Sequence, residues 1–265
     1  MQLELTEVTF TTAEGTFLNE TSVIIEEGST VLVLGPSGAG KTLSMKIMAG
    51  ILPNTAGSIK VDGRLRSQMS DREVKLTSIR QGFAFQDAAL WQNMTLRQNL
   101  SLSTQFHFPK RPPTQIEERI NYLVRRLGFR ESLDQRPARL SGGNRTIVSV
   151  MRALMLDPEL VFLDEPSTGL DSEARERLLD LLKDLKRQGK TLVIASHDRE
   201  IASMLADWVL IIEDGHVLMY DTVQSLVATD NVRVREIARD MLDLTSSYDA
   251  DILDILGGAD DDPFS

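Results

Sequence analysis

Five short apolar runs punctuate the chain, at residues 31–34, 83–85, 161–163, 192–195 and 209–212. Each is too short for a helix and too uniformly apolar for a strand with one wet face, so each predicts a buried strand. Helical patterns follow most of them, and that alternation predicts an α/β core on a mainly parallel sheet. The clearest helix lies in DSEARERLLDLLKDLKRQGK, where Leu178, Leu181, Leu182 and Leu185 form a stripe and Gly189 supplies the stop. The N-terminal MQLELTEVTF alternates instead, as a strand with one exposed face does. Between about residues 88 and 158 the strand signals vanish. There Pro112 and Pro113 precede a helix with Ile116, Ile120, Leu123, Val124 and Leu127 on one face, and Ile147, Val150, Met151 and Leu154 make a second stripe. The span predicts a helical insertion in the α/β core. Past Tyr220 the pattern weakens to one amphipathic stretch near residues 232–244 and a polar, acidic end containing DILDIL and ADDDPFS.

Composition narrows the class. With 265 residues and 42% hydrophobic content the chain can bury a real core. No apolar run approaches the roughly 20 residues that span a bilayer, and the N-terminus does not read as a signal peptide. The expectation is a soluble, non-secreted chain. Cysteine is absent, which excludes disulfides and thiolate metal sites. The net charge of -10 is uneven: residues 229–265 hold ten Asp/Glu against Arg233, Arg235 and Arg239, and the remainder is nearly neutral. Neither part has the basic stripe that binds nucleic acid or an anionic leaflet. Membrane association therefore has to pass through a protein partner.

GPSGAGKT follows the strand VLVL and opens the helical run KTLSMKIMAG. That context identifies a phosphate-binding P-loop made of Gly35, Pro36, Ser37, Gly38, Ala39, Gly40, Lys41 and Thr42. Backbone N–H groups of 38–42 wrap the phosphates, Lys41 reaches the β and γ oxygens, and the Thr42 hydroxyl holds Mg²⁺. LVFLDEP is an apolar strand ending in two carboxylates. Beside a P-loop, Asp164 orders the metal shell and Glu165 polarises the attacking water. His197 follows the strand TLVIAS; by itself a histidine there suits a helix cap or the core, and the other motifs turn it toward catalysis. Gln86, after FAF, is placed to touch metal and water, or else simply begins a loop. LSGGN, Leu140–Asn144, puts a serine and two glycines at a helix start, a second anion-binding pattern.

With these motifs in order, the chain resembles the nucleotide-binding subunits of ATP-binding-cassette (ABC) proteins over about residues 3–222. The resemblance rests on GPSGAGKT, the glutamine of FAFQD, LSGGN, LVFLDEP, STGLD and ASHD. It implies a RecA-like P-loop NTPase core with antiparallel β elements at the N-terminus and an inserted helical subdomain at about 88–158. Residues 223–265 would be an extension, helical and then acidic. It also implies ATP and Mg²⁺ as cofactors and hydrolysis as the reaction. Two copies would pair head to tail, with Ser141 and the Gly142 and Gly143 amides on the γ-phosphate of the opposite ATP. The helical subdomain would offer a groove to a transmembrane permease, with Trp91 in DAALWQNMTLRQNL as its aromatic anchor or as a half-buried core residue. FQDAALWQNMTLRQNL and VRVREIARDML are most similar to Mla-type subunits, which energise MCE-domain lipid transporters. That places the chain at the cytoplasmic face of the inner membrane, with MCE-domain and accessory subunits and no nucleic acid. Alternatives are another importer, or a soluble ATPase of the iron-sulfur assembly type.

Three positions depart from the family pattern. Leu43 stands where a second hydroxyl usually follows the P-loop lysine, so one bond to the α-phosphate is lost. A charge-assisted bond of that kind is worth about 1.5–3 kcal/mol, or one to two decades of affinity. The aromatic that stacks on adenine falls by spacing on Thr12, leaving Phe10 or Phe17 to substitute. Asn144 shortens the usual glutamine by one methylene.

Overall fold

All five apolar runs become strands, and the alternating N-terminus becomes a sixth. The computed structural model describes residues 1–13 and 15–241. In chain order come β1 (Leu3–Thr12), β2 (Gly15–Ile25), β3 (Thr30–Leu34), α1 (Lys41–Met48), β4 (Ala56–Val61) and β5 (Arg64–Leu65). Next are α2 (Asp71–Ile79), β6 (Gln81–Ala84), α3 (Leu96–His107), α4 (Pro113–Leu127), α5 (Gly142–Ala153), β7 (Leu160–Asp164) and α6 (Ser172–Arg187). Then follow β8 (Thr191–Ala195), α7 (Arg199–Leu205), β9 (Trp208–Glu213), β10 (His216–Thr222), α8 (Val223–Ala228) and α9 (Val232–Met241). The chain divides into two compact units, and the division falls inside β8.

The first unit holds Gln2–Gln68 and the described chain from Val193 onward. Its four-stranded sheet runs β2-β1-β4-β5 with antiparallel pairing throughout. β1 buries Leu3, Leu5 and Val8 and exposes the residues between, the half-wet pattern its alternation predicts. β3 lies parallel to β9 and β9 antiparallel to β10. Every residue of β3 is buried, which is why it reads as a continuous apolar run. α1 is anchored from its far end: Arg66 donates to the carbonyls of Ile47 and Met48 at 2.9 and 2.5 Å. A cation there meets the negative end of the helix. Burial pushes the Arg66 guanidinium down to about 10.

The second unit, Met69–Leu192 with Met1, is built around β6 and β7, which pair in parallel. α3, α4 and α5 lie inside the span where strand signals were lost. Pro113 is the first residue of α4, where its missing N–H costs nothing, and Pro112 is the cap. Ile116, Ile120, Leu123 and Leu127 are buried as the stripe predicts, whereas Val124 lies at its edge and stays partly exposed. Capping boxes start α2 at Ser70/Glu73 and α3 at Thr95/Gln98. Each reciprocal pair satisfies two orphan N–H groups that the short helices would otherwise expose. In α6, Asp171 caps the N-terminus, Leu178, Leu179, Leu181, Leu182 and Leu185 are buried, and Gly189 follows the end in the left-handed region.

Two sequence expectations shift. Phe85 falls outside β6, which ends at Ala84. The amphipathic stretch near residues 232–244 forms α9 as far as Met241 and buries Val234, Ile237 and Ala238, and a further short helix, α8, precedes it. DILDIL and the apolar patch of Ile252, Leu253, Ile255 and Leu256 lie outside the described residues.

Candidate functional site

In the first unit the P-loop runs from the end of β3 into α1. Gly40 is the N-cap of α1 at φ 96°, a left-handed conformation in which a side chain would be strained, and it brings no side chain to cap the helix. A Cβ there would sit 2.8 Å from the Phe17 carbonyl oxygen. The first turn therefore presents backbone N–H groups and no acidic residue, the chemistry that suits a phosphate. Lys41 Nζ donates to the carbonyls of Gly35 at 2.5 Å and Pro36 at 3.1 Å, holding the ammonium over the loop that also contains Ser37, Gly38 and Ala39. Ser44, fully buried, donates to the Gly40 carbonyl at 2.9 Å. That bond ties the Ser44 hydroxyl to the backbone, so it does not replace the one the sequence lacks at Leu43. Leu43 itself is half-buried.

The same unit bears on the adenine aromatic. Phe10 pairs with Leu18 in the β1–β2 ladder and Thr11 with Thr16, so Phe17 is the extra residue of a bulge. Its carbonyl is the atom against Gly40. Phe17 thus lies on chain that touches the P-loop. Both rings are partly exposed.

His197 sits between β8 and α7 and is exposed. It is neither core nor cap: Asp198 caps α7, accepting from Glu200 N at 3.0 Å and Ile201 N at 3.4 Å. Ser196 Oγ accepts from Asp198 N at 3.1 Å, which fixes the turn that presents the histidine.

In the second unit Asp164 ends β7 with 3% exposure, and Glu165 follows at φ 49°. A glutamate in the left-handed region is uncommon and strained by about 1 kcal/mol or more, and such strain concentrates where function holds it. Among the described residues no group of three or more His, Cys or acidic side chains forms a metal cage. The Thr42 hydroxyl in the first unit and the Asp164 carboxylate in the second are each an oxygen donor of the kind that Mg²⁺ prefers. Gln86 is exposed in the turn after β6.

LSGGN forms the start of α5. Ser141 is the N-cap, its Oγ accepting from Asn144 N at 3.2 Å, and it is exposed together with Gly142. Gly143 differs: it is buried, and a Cβ on it would lie 2.2 Å from the Gly169 carbonyl oxygen. Thr146 Oγ1 donates to the same segment, at the Thr168 carbonyl, at 3.3 Å. Gly143 is therefore required first by packing against STGLD within its own chain. We expect Gly143→Ala to destabilise by about 1–3 kcal/mol through overpacking. Gly142→Ala, with nothing within 4 Å, should melt like the parent in calorimetry; equal melting of both variants would remove the distinction. Asn144 Nδ2 approaches Glu131 Oε1 at 3.4 Å, so the shortened side chain has a neighbour in its own unit.

Beyond Gln86 the chain is held by two residues whose role sequence reasoning missed. Arg152, near the end of α5, donates to the carbonyls of Ala88 at 2.9 Å and Ala89 at 2.6 Å. Both alanines are left-handed, at φ 60° and 43°. Burial holds the Arg152 guanidinium below its usual range, with Asp87 opposing. Asn99, fully buried on α3, accepts from Trp91 N at 2.8 Å and donates to Trp91 O at 3.1 Å. The backbone clamp turns the Trp91 ring outward to 56% exposure, which removes it from the core. Beside it is a groove of about 500 Å³, lined among others by Phe85, Trp91, Leu102, Phe106 and Arg152.

Comparison with known proteins gives the family and the fold. The pattern of the ABC transporter family matches residues 18–168, more than half of the chain. The glutamine transport ATP-binding protein GlnQ of Bacillus subtilis is 30% identical over 203 residues, covering 76% of this chain and 82% of that protein. The macrolide export ATP-binding/permease protein MacB of Aggregatibacter actinomycetemcomitans is 33% identical over 202 residues, covering 76% of this chain and 31% of that protein. A solved dimeric, post-hydrolysis structure of the ATP-binding cassette MJ0796, bound to ADP and Pi, aligns with a TM-score of 0.77 at 28% identity. It covers 83% of this chain and 98% of that one. The fold is accordingly that of a P-loop NTPase cassette, mixed α/β with an antiparallel N-terminal sheet and a helical insert. The chain belongs to the ABC transporter family, as an ATP-binding subunit that hydrolyses ATP with Mg²⁺.

Proposed function

We propose that this chain is the motor of a membrane transporter. Two copies close head to tail over two ATP molecules and drive a permease seated at the groove beside Trp91. The observation that carries the reading is the exposed start of α5. Ser141 and Gly142 offer a hydroxyl and a helix N-terminus to an anion, and each copy already carries a separate P-loop of its own. The dimeric neighbour supports the same arrangement.

In this reading the amides of 38–42 and Lys41 grip the phosphates, and Thr42 and Asp164 hold Mg²⁺. When bound, Mg²⁺ neutralises charge on the phosphate oxygens. Glu165 takes the proton of the attacking water, His197 and Gln86 orient the γ-phosphate and water, and Phe17 stacks on the base. Hydrolysis removes the grip that closed the dimer, so nucleotide state becomes mechanical state. Residues 1–222 form the cassette and 223–265 an extension. No helix among the described residues is long and apolar enough to cross a membrane, so attachment to the cytoplasmic face goes through the permease.

The cargo we propose is phospholipid, in an MCE/Mla-type system with MCE-domain and accessory subunits. FQDAALWQNMTLRQNL and VRVREIARDML support it; the latter lies largely in α9, whose apolar residues are buried. A second reading, import of a small solute, is favoured by the glutamine transport relative. The test is purification of the tagged full chain from detergent-solubilised membranes with identification of its partners. We expect an integral-membrane permease together with an MCE-domain protein. A solute-importer permease would replace lipid as the cargo, and recovery of soluble partners alone would overturn the transporter reading.

A further inference from the structure

Gln86 sits at the tip of a four-residue turn whose two ends are gripped by one helix. The turn is closed by Ala88 N donating to the Phe85 carbonyl at 2.9 Å, which leaves Gln86 and Asp87 exposed at the tip. Ahead of the tip, Ser149 Oγ on α5 accepts from Phe85 N at 3.2 Å, and Ser149 is fully buried. Behind it, Arg152 donates to the Ala88 and Ala89 carbonyls at 2.9 and 2.6 Å. Residues three apart lie on one face of a helix, so both anchors reach the turn from the same side of α5. The strand that delivers the turn is seated on that helix as well: a Cβ on Gly82 of β6 would lie 2.3 Å from the Ala153 carbonyl oxygen.

The path of the turn needs holding. Ala88 and Ala89 are both left-handed, at φ 60° and 43°, a conformation that alanine avoids because its Cβ crowds the following carbonyl oxygen. Neither residue is glycine, so the surroundings enforce what the residue type disfavours. A guanidinium presents its donors in a rigid planar fork, and two successive carbonyls aimed at it fix the backbone between them; the single point of a lysine ammonium would not. An exposed amide at the tip of a turn is placed by how the ends of the turn are held.

Resting on the role given to Gln86 above, we infer that Ser149 and Arg152 are positioning residues for that glutamine. They act on the reaction through the backbone of residues 85–89 and set where the Gln86 amide meets water and metal. Because α5 also begins at Ser141, the helix that offers one copy's hydroxyl to the opposite phosphate holds that copy's own Gln86 in place.

A double-mutant cycle tests this on the tagged full chain purified with its partners, by steady-state ATPase activity. Arg152→Met keeps an extended side chain and removes the fork; kcat should fall about tenfold with KM for ATP within about twofold, since the P-loop is untouched. Ser149→Ala should lower kcat about fivefold. In a Gln86→Ala background, itself about tenfold or more slower than the parent, neither substitution should cost more than about twofold, because the group they position is gone. A residue serving the fold alone would cost the same factor in both backgrounds. That outcome, or parent-like turnover of Arg152→Met, would overturn the inference and leave the role of Gln86 standing. Parent-like turnover of Gln86→Ala would instead remove that role, and the inference with it. If thermal melting shows Arg152→Met to be unfolded, Ser149→Ala decides the same question in the same two backgrounds.

Discussion

Glu165→Gln should bind ATP as the parent does and hydrolyse it at least ~100-fold more slowly, the loss typical of removing a positioned general base. The amide keeps the size of the side chain, so the residue can hold its left-handed backbone at φ 49° without new strain. With hydrolysis stalled and the γ-phosphate retained, an ATP-dependent dimer should accumulate, visible as a doubled mass by light scattering. Glu165→Gly separates the two properties of this position. Glycine relieves the backbone strain and deletes the carboxylate, so the variant should melt at least as high as the parent and be equally inactive. Turnover within a few-fold of the parent in either variant would reject the role given to Glu165.

Ser141→Arg should abolish steady-state ATPase activity of the assembled protein while leaving nucleotide binding by the isolated chain intact. The substitution does two things at once. It removes the N-cap of α5, worth about 0.5–2 kcal/mol, and it places a long cation where the opposite phosphate would sit. Ser141→Asp resolves the ambiguity. Aspartate caps a helix as well as serine does, so α5 should keep its stability, yet its charge repels phosphate. Loss of turnover in both variants, with lowered melting only for arginine, is the expected pattern. An active Ser141→Asp would mean that α5 is needed for its fold alone.

The parts of this molecule that could be read in advance are those whose signal is local. β3 and β7 are buried along their whole length, so each appears as an unbroken apolar run. α6 carries its leucines at helical spacing and both of its stops within the same segment. The P-loop is a local motif too, since its glycines serve a backbone path set by neighbours in sequence. β4, β5 and β10 were not anticipated individually, because their residues are half-exposed or the strand is as short as two residues. The missed site features depend on distant chain. Nothing in the pair Ala88-Ala89, good helix formers, announces two left-handed residues; Arg152, over sixty positions away, holds them there. Nor does LSGGN show that its two glycines differ, because the carbonyl that crowds Gly143 belongs to Gly169. That the chain at Phe17 lies against Gly40 depends on the bulge in β2, a feature of register that composition does not encode.

α5 begins at Ser141 and Gly142 and reaches Arg152 at the groove. Twelve residues of continuous helix make a strut about 18 Å long, with most of its middle packed in the core. In the proposed assembly a partner seated at Arg152 and a phosphate at Ser141 would hold the two ends of one stiff element, so a displacement of either end would be felt at the other.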